Sequence, residues 1–295
     1  MKLHQRKNQS QPPKQALKWV LLGVLGACIW ALTLTAWGKD KIKIEDLVAR
    51  HLESIGTAEA RAGIENIVAT GEASAIPRVG GSGKIDGDLR MNSMSGKLLI
   101  YMKFYSPDYA EEALLFDGKN VDVGQMSPGT RSPLGTLLYT QELPLKEGLV
   151  GGTLSRNWPL LSMESKQPRL KYRGLRKVDK EKCHEVEYRA RKGGTDFRIR
   201  LYFDQEHFRH VQTTYRMSIA APMGSRPDQS SQQSETRIGL TEQFSDFRET
   251  NGLTLPHRYV IRYSNVASKT LRIDWEMKVN DIQFNQPLEG AFAIH

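Results

Sequence analysis

Five side chains able to take part in chemistry fall within the twenty residues FSDFRETNGLTLPHRYVIRY at 244–263: Asp246, Arg248, Glu249, His257 and Arg258. A carboxylate and an imidazole held at a fixed separation would supply general acid–base catalysis. The spacing points elsewhere. Asn251-Gly252 is the strongest two-residue hairpin signal, so Phe244–Thr250 and Leu253–Tyr263 read as paired strands. Arg258 and Arg262 then oppose Tyr259, Ile261 and Tyr263, whose face also carries His257, while Glu249 lies beside the turn. That pattern predicts cross-strand ion pairs on a wet face.

Other constellations are incomplete. His207 and His210 in HFRH would point to opposite faces of a strand, and no HExxH, CxxC or carboxylate-flanked histidine cluster completes a metal site. Cys183 and His184 would also diverge across a strand. GGSGK at 80–84 has Arg78 where a phosphate loop needs its first glycine, and Ile85 follows Lys84. There is no GxSxG. The expectation is a protein without catalytic residues, metal or cofactor.

The elements that would position any site follow from periodicity. IKIEDLVARHLESIG places Ile44, Leu47, Val48, Leu52 and Ile55 at helical spacing before Gly56, and Thr57 would cap a short second helix. From Asn66 onward the period is two. SGKLLIYMKFYS sets Leu98, Ile100, Met102 and Phe104 on one face. TDFRIRLYFD does so with Phe197, Ile199, Leu201 and Phe203, and TLRIDWEMKVND with Leu271, Ile273, Trp275, Met277 and Val279. With a hairpin at Asp117-Gly118 and further strands near 67–76, 82–92, 170–178, 182–192, 208–219, 237–250 and 254–264, the chain reads as about a dozen antiparallel strands, packed on one side and wet on the other. The fold class is mainly β with some helix. Two segments break the alternation. Residues 127–165 scatter leucines among glycines and prolines, predicting short helices or an apolar flap; 221–236 is a Ser/Gln/Pro-rich flexible loop.

Of 295 residues, 39% are hydrophobic and 25% charged, which excludes a disordered chain. The formal charge of +9 raises nucleic acid or an anionic membrane as partners. Residues 1–38 hold five basic residues and no acidic one, so the remainder carries only +4, with lysines and arginines alternating along strands; nucleic acid is not expected. Behind that basic stretch, Trp19–Trp37 is a run of nineteen uncharged residues, long enough to cross a bilayer. It predicts export to the periplasm. Three fates compete: a signal peptide cleaved before Lys39, an uncleaved inner-membrane anchor, or a lipoprotein signal at Leu25-Gly26-Ala27-Cys28. Residues 39–295 would form one domain, and Cys183 alone in it can form no intrachain disulfide.

LYFDQEHFRHVQTTYR at 201–216, SDFRETNGLTLPHRYVIRY and MKVNDIQFNQPLEGAFAI resemble the strand units of the LolA/LolB-like lipoprotein-carrier superfamily, well over 170–295 and weakly over 44–125. The resemblance implies a large, unclosed antiparallel barrel whose concave apolar face, lidded by helices, shelters acyl chains of lipids or lipoproteins. Its lining here would be Leu98, Ile100, Met102, Phe104, Phe197, Ile199, Leu201, Phe203, Tyr259, Ile261, Tyr263, Ile273, Trp275 and Met277. The insertion would be the lid, through Leu149 and Leu154, with Gly148, Gly151 and Gly152 as hinges. The alternative is an anchored periplasmic sensor domain read out by a protein partner.

Overall fold

The computed structural model describes residues 42–220, 235–267 and 270–294, of which 43–294 belong to one compact unit. Helix α1 (Ile44–Ile55) carries Glu45 and Asp46 in its first turn, where acidic side chains suit the helix dipole, and ends at Gly56. It buries Leu47, His51 and Ile55, a line at i, i+4, i+8, whereas Ile44, Val48 and Leu52 are only half-buried. Thr57 caps α2 (Ala58–Ala62) by accepting from Ala60 N at 3.1 Å. Arg61 ties the two helices together, donating to the carbonyls of Leu52 (2.6 Å) and Gly56 (2.5 Å).

Twelve strands follow: β1 (Asn66–Val79), β2 (Ile85–Met94), β3 (Lys97–Phe104), β4 (Glu111–Phe116), β5 (Val121–Val123), β6 (Arg169–Val178), β7 (Glu181–Arg189), β8 (Arg198–Asp204), β9 (His210–Ile219), β10 (Thr236–Thr250), β11 (Leu253–Val266) and β12 (Thr270–Phe284). They form one antiparallel sheet in the order β5-β4-β3-β2-β1-β12-β11-β10-β9-β8-β7-β6, with β5 and β6 as unpaired edges. The sheet is therefore open. Two meanders, β1–β5 and β6–β12, are joined by the pairing of β1 with β12, from Ile67 opposite Phe284 to Val79 opposite Arg272. A bulge at Thr70/Gly71 interrupts that seam, and a Cβ on Gly71 would overlap the carbonyl of Lys278.

The hairpin at 250–253 turns through Asn251 (φ 48°) and Gly252 (φ 78°), the two positive φ values of a type I′ turn. Arg248, Arg258 and Arg262 of its strands sit in ion pairs, whereas Glu249 is in none among the described residues. Arg258 meets Glu276 at 3.1 Å and Arg262 meets Asp274 at 3.6 Å across to β12, and Arg78 reaches both acids at 2.9 Å. Arg248 pairs instead with Asp246 of its own strand at 2.6 Å. His257 is buried, its Nδ1 3.2 Å from the carbonyl of Leu255.

Between β5 and β6 the chain leaves the sheet as α3 (Pro133–Thr140), α4 (Leu143–Lys146), a 3-10 turn (Gly152–Leu154) and α5 (Met163–Lys166), matching the short helices expected for 127–165. Most of the loop expected at 221–236, and the segment 1–38, lie outside the described residues. Among the described residues no helix is long and apolar enough to cross a membrane.

Candidate binding face

Strand register brings the predicted lining residues onto one face. Leu98, Ile100 and Met102 stand opposite Ser93, Met91 and Leu89 of β2, and Tyr259, Ile261 and Tyr263 opposite Met277, Trp275 and Ile273 of β12. On the other meander Ile199 and Leu201 stand opposite Tyr215 and Thr213, with Phe203 next to His210. All fourteen lie on this inner face. Thirteen are buried, and Ile273 is half-buried.

The face is covered by the insertion. Leu149 and Leu154 are fully buried, as are Leu134, Leu138, Leu145 and Trp158. A Cβ on Gly151 would strike Met91, and one on Gly152 would strike Phe244 and approach His210. Gly148, Gly151 and Gly152 also hold φ of 72°, 84° and 51°. Close approach in a left-handed backbone therefore accounts for these glycines.

Polar pins fix the segment in place. Glu242, without exposed surface, accepts from Gly151 N (2.9 Å), Tyr215 OH (2.5 Å) and Tyr259 OH (2.5 Å). Burial pushes its carboxyl up to about 7 even though these three donors oppose the shift. At the other end of the segment Trp158 Nε1 donates to His51 Nε2 at 3.0 Å, and His51 Nδ1 donates to the Phe208 carbonyl at 3.0 Å. That arrangement requires a neutral imidazole, and burial, partly offset by the Phe208 bond, lowers the His51 pKa to about 4. Trp158 stacks on His210 with ring centroids 4.4 Å apart, and burial holds His210 well below its ordinary value. Under α3 a third cluster repeats the pattern. Trp275 Nε1 donates to Tyr109 OH (2.7 Å) and Tyr109 OH to Glu112 (2.5 Å), whose carboxyl burial raises to about 7. Gly96 N to Asn157 Oδ1 (2.5 Å) and Arg156 N to Ser93 Oγ (2.7 Å) complete the seat.

The expected chemistry is apolar, and the polar members were not anticipated. Glu242, Glu112 and His210 sit on the same face as the lining, and His51 meets that face from α1, against Phe203. In strand phase Leu240-Glu242-Phe244 and Glu112-Leu114-Phe116 already put each acid among apolar neighbours. His207 lies in the β8–β9 turn rather than on a strand. Cys183 and His184 do diverge: the thiol, raised by burial to about 11, lies on the outer side of the sheet, while His184 faces inward, 3.0 Å from Tyr172 OH. Among the described residues no group of three His, Cys, Asp or Glu side chains is placed to hold a metal. A groove of about 1130 Å³ beside the β8–β9 turn, lined by Asp179, Asp204, Arg209, Asp246 and Arg258 among others, is rich in charge and distinct from the apolar face.

No family model and no curated protein matches the chain. Solved structures similar to it include a LolA superfamily protein from Nitrosomonas europaea (11% identity, 86% of this chain and 98% of that one, TM-score 0.47). They also include a domain assigned to outer membrane lipoprotein sorting from Vibrio parahaemolyticus (13%, 83% and 95%, 0.43) and a DUF1329 family protein from Desulfovibrio piger (10%, 85% and 97%, 0.44).

Proposed function

We propose that this is a non-catalytic envelope protein that shelters acyl chains of a lipid or lipoprotein against the inner face of its open sheet. In this reading residues 148–158 occupy the face when no ligand is bound and yield to it. The carrying observation is that the apolar face is covered by an irregular segment held by a few scattered hydrogen bonds, not by a second sheet. The energies are compatible. Leu149, Val150, Leu154 and Trp158 are buried, and exposing them would cost roughly 6–12 kcal/mol at about 1.5–3 kcal/mol per side chain. One acyl chain of about sixteen carbons, at ~0.8 kcal/mol per CH₂, returns a similar amount. Displacing α3 and α4 as well would need several chains, so the smaller segment is the one that moves.

The test is hydrogen exchange across 127–165 with and without a palmitoyl lysophospholipid, beside melting of Leu149→Asp. Ligand should change exchange within 148–158 and leave α3 slow, and Leu149→Asp should alter ligand retention by an order of magnitude or more. Slow exchange indifferent to ligand would make the segment a fixed part of the core and end this reading.

A further inference from the structure

We propose that the outer face of strands β6–β9 docks on an anionic phospholipid surface. On that face six arginines, Arg173, Arg176, Arg189, Arg198, Arg200 and Arg216, surround two carboxylates, Glu185 and Glu187. The acids are already shared. Glu185 pairs with Arg176 (2.9 Å) and Arg200 (3.0 Å), and Glu187 with Arg173, Arg189 (2.7 Å) and Arg200 (2.6 Å). Among the described residues Arg198 and Arg216 have no acidic partner within ion-pair distance, and they stand directly opposite each other across β8 and β9. Arg169 and Arg189 are likewise opposed across β6 and β7. Like charges at directly paired positions destabilise a sheet; Glu187 offsets the cost at Arg189, but at Arg198 and Arg216 the fold itself does not recover it.

An external anion does recover it. Guanidinium forks bind phosphate oxygens two at a time, and five of these arginines converge with the two acids on one groove of about 440 Å³. Four adjacent strands at about 4.8 Å spacing make this a patch roughly 15 Å wide, which suits an array of headgroups better than one small ion. The sequence itself argues for a bilayer as the source of that charge: Trp19–Trp37 is nineteen residues without a charge, and five basic residues precede it. This docking does not depend on what the inner face binds.

The test uses the full chain with Cys28→Ser and a dye-labelled Ser218→Cys, which lies two residues beyond Arg216 on the same face; Cys183 is buried and stays unlabelled. Vesicles of phosphatidylcholine with or without phosphatidylglycerol carry a headgroup quencher. Insertion by 19–37 and attraction of the basic residues before it would act on every dye position alike, so docking of the face is read from the difference between Ser218→Cys and a dye remote from the patch. Quenching is expected with phosphatidylglycerol alone and should vanish near 1 M salt, where the screening length is about 3 Å. Dye placed by Lys119→Cys at the β4–β5 turn should not respond. Arg198→Gln/Arg216→Gln should shift the phosphatidylglycerol dependence about tenfold, and, having lost a like-charge pair, should melt no lower than the parent. Equal quenching in both vesicles, or none in either while an acidic protein protects the dye, would overturn the proposal. Should the double variant fail to fold, the lipid and salt dependence of the parent decides alone.

Discussion

Replacing Glu242 with glutamine separates the carboxyl's charge from its shape. The folded protein holds this carboxyl near 7 against an ordinary 4.5, because burial outweighs the donations from Tyr215, Tyr259 and Gly151. The folded state therefore takes up the proton more readily than the unfolded chain. The associated stability is complete below pH 4.5 and is lost as pH rises to 7. At 1.36 kcal/mol per pH unit the difference amounts to about 3 kcal/mol, and full burial leaves no solvent screening to discount. Glu242→Gln keeps acceptors for Gly151 N and a tyrosine but cannot ionise. Urea midpoints of parent and variant at pH 5, 6, 7 and 8 should converge toward the acid end and separate toward the alkaline end, the variant losing about 3 kcal/mol less over the range. Glu112, raised to a similar value, gives both proteins a common residual slope. Parallel curves across the whole range would refute the reasoning, since they would mean that Glu242 reaches water or ionises in the folded state without cost.

Trp158→Phe preserves most of the ring but removes the donor to His51 Nε2, leaving a buried acceptor unmet; denaturant unfolding should show a loss of about 1–3 kcal/mol. His51→Ala combined with Trp158→Phe should cost less than the sum of the two single changes, which a double-mutant cycle measures. Gly71→Ala should be among the most damaging small substitutions in the molecule, because its Cβ would meet the Lys278 carbonyl at the β1–β12 seam; thermal melting should fall well beyond what one methyl on a surface strand would cause, or the bulge is looser than described.

Most of the sheet was legible because its physical cause is local. Alternation in Leu98–Phe104 and Phe197–Phe203 reflects one wet and one dry side, and Asn251-Gly252 prescribes its own turn. The pairing of β1 with β12 was not legible, since nothing in residues 66–79 names a partner roughly 200 positions away. Glu242 and Glu112 were readable in principle by extending the strand phase through them, but in isolation a charged residue in a strand reads as solvent-facing. Leu47, His51 and Ile55 show the same difficulty in a helix: hydropathy favours Val48 and Leu52, and packing against Phe203 and Trp158 selects His51. The seat of Trp158 had no periodic signal, because irregular backbone gives each residue its own orientation. The glycines at 148, 151 and 152 were visible, yet freedom to hinge and close packing leave the same mark in a sequence.

The seam between β1 and β12 also bears on how the chain is made. Strand β1 emerges from the ribosome about 200 residues ahead of its outer partner, and at ordinary synthesis rates of roughly 5–20 residues per second it waits on the order of ten seconds or more. Through that interval the first meander can pair internally but presents fourteen residues of open backbone, with Ile67, Ala69, Ala73 and Ala75 beside it. Such an edge recruits any extended strand nearby. Biogenesis of this protein is therefore exposed to capture by the wrong strand in proportion to the delay. A holding chaperone, or passage unfolded across a membrane before any pairing begins, would remove that exposure without changing one native contact.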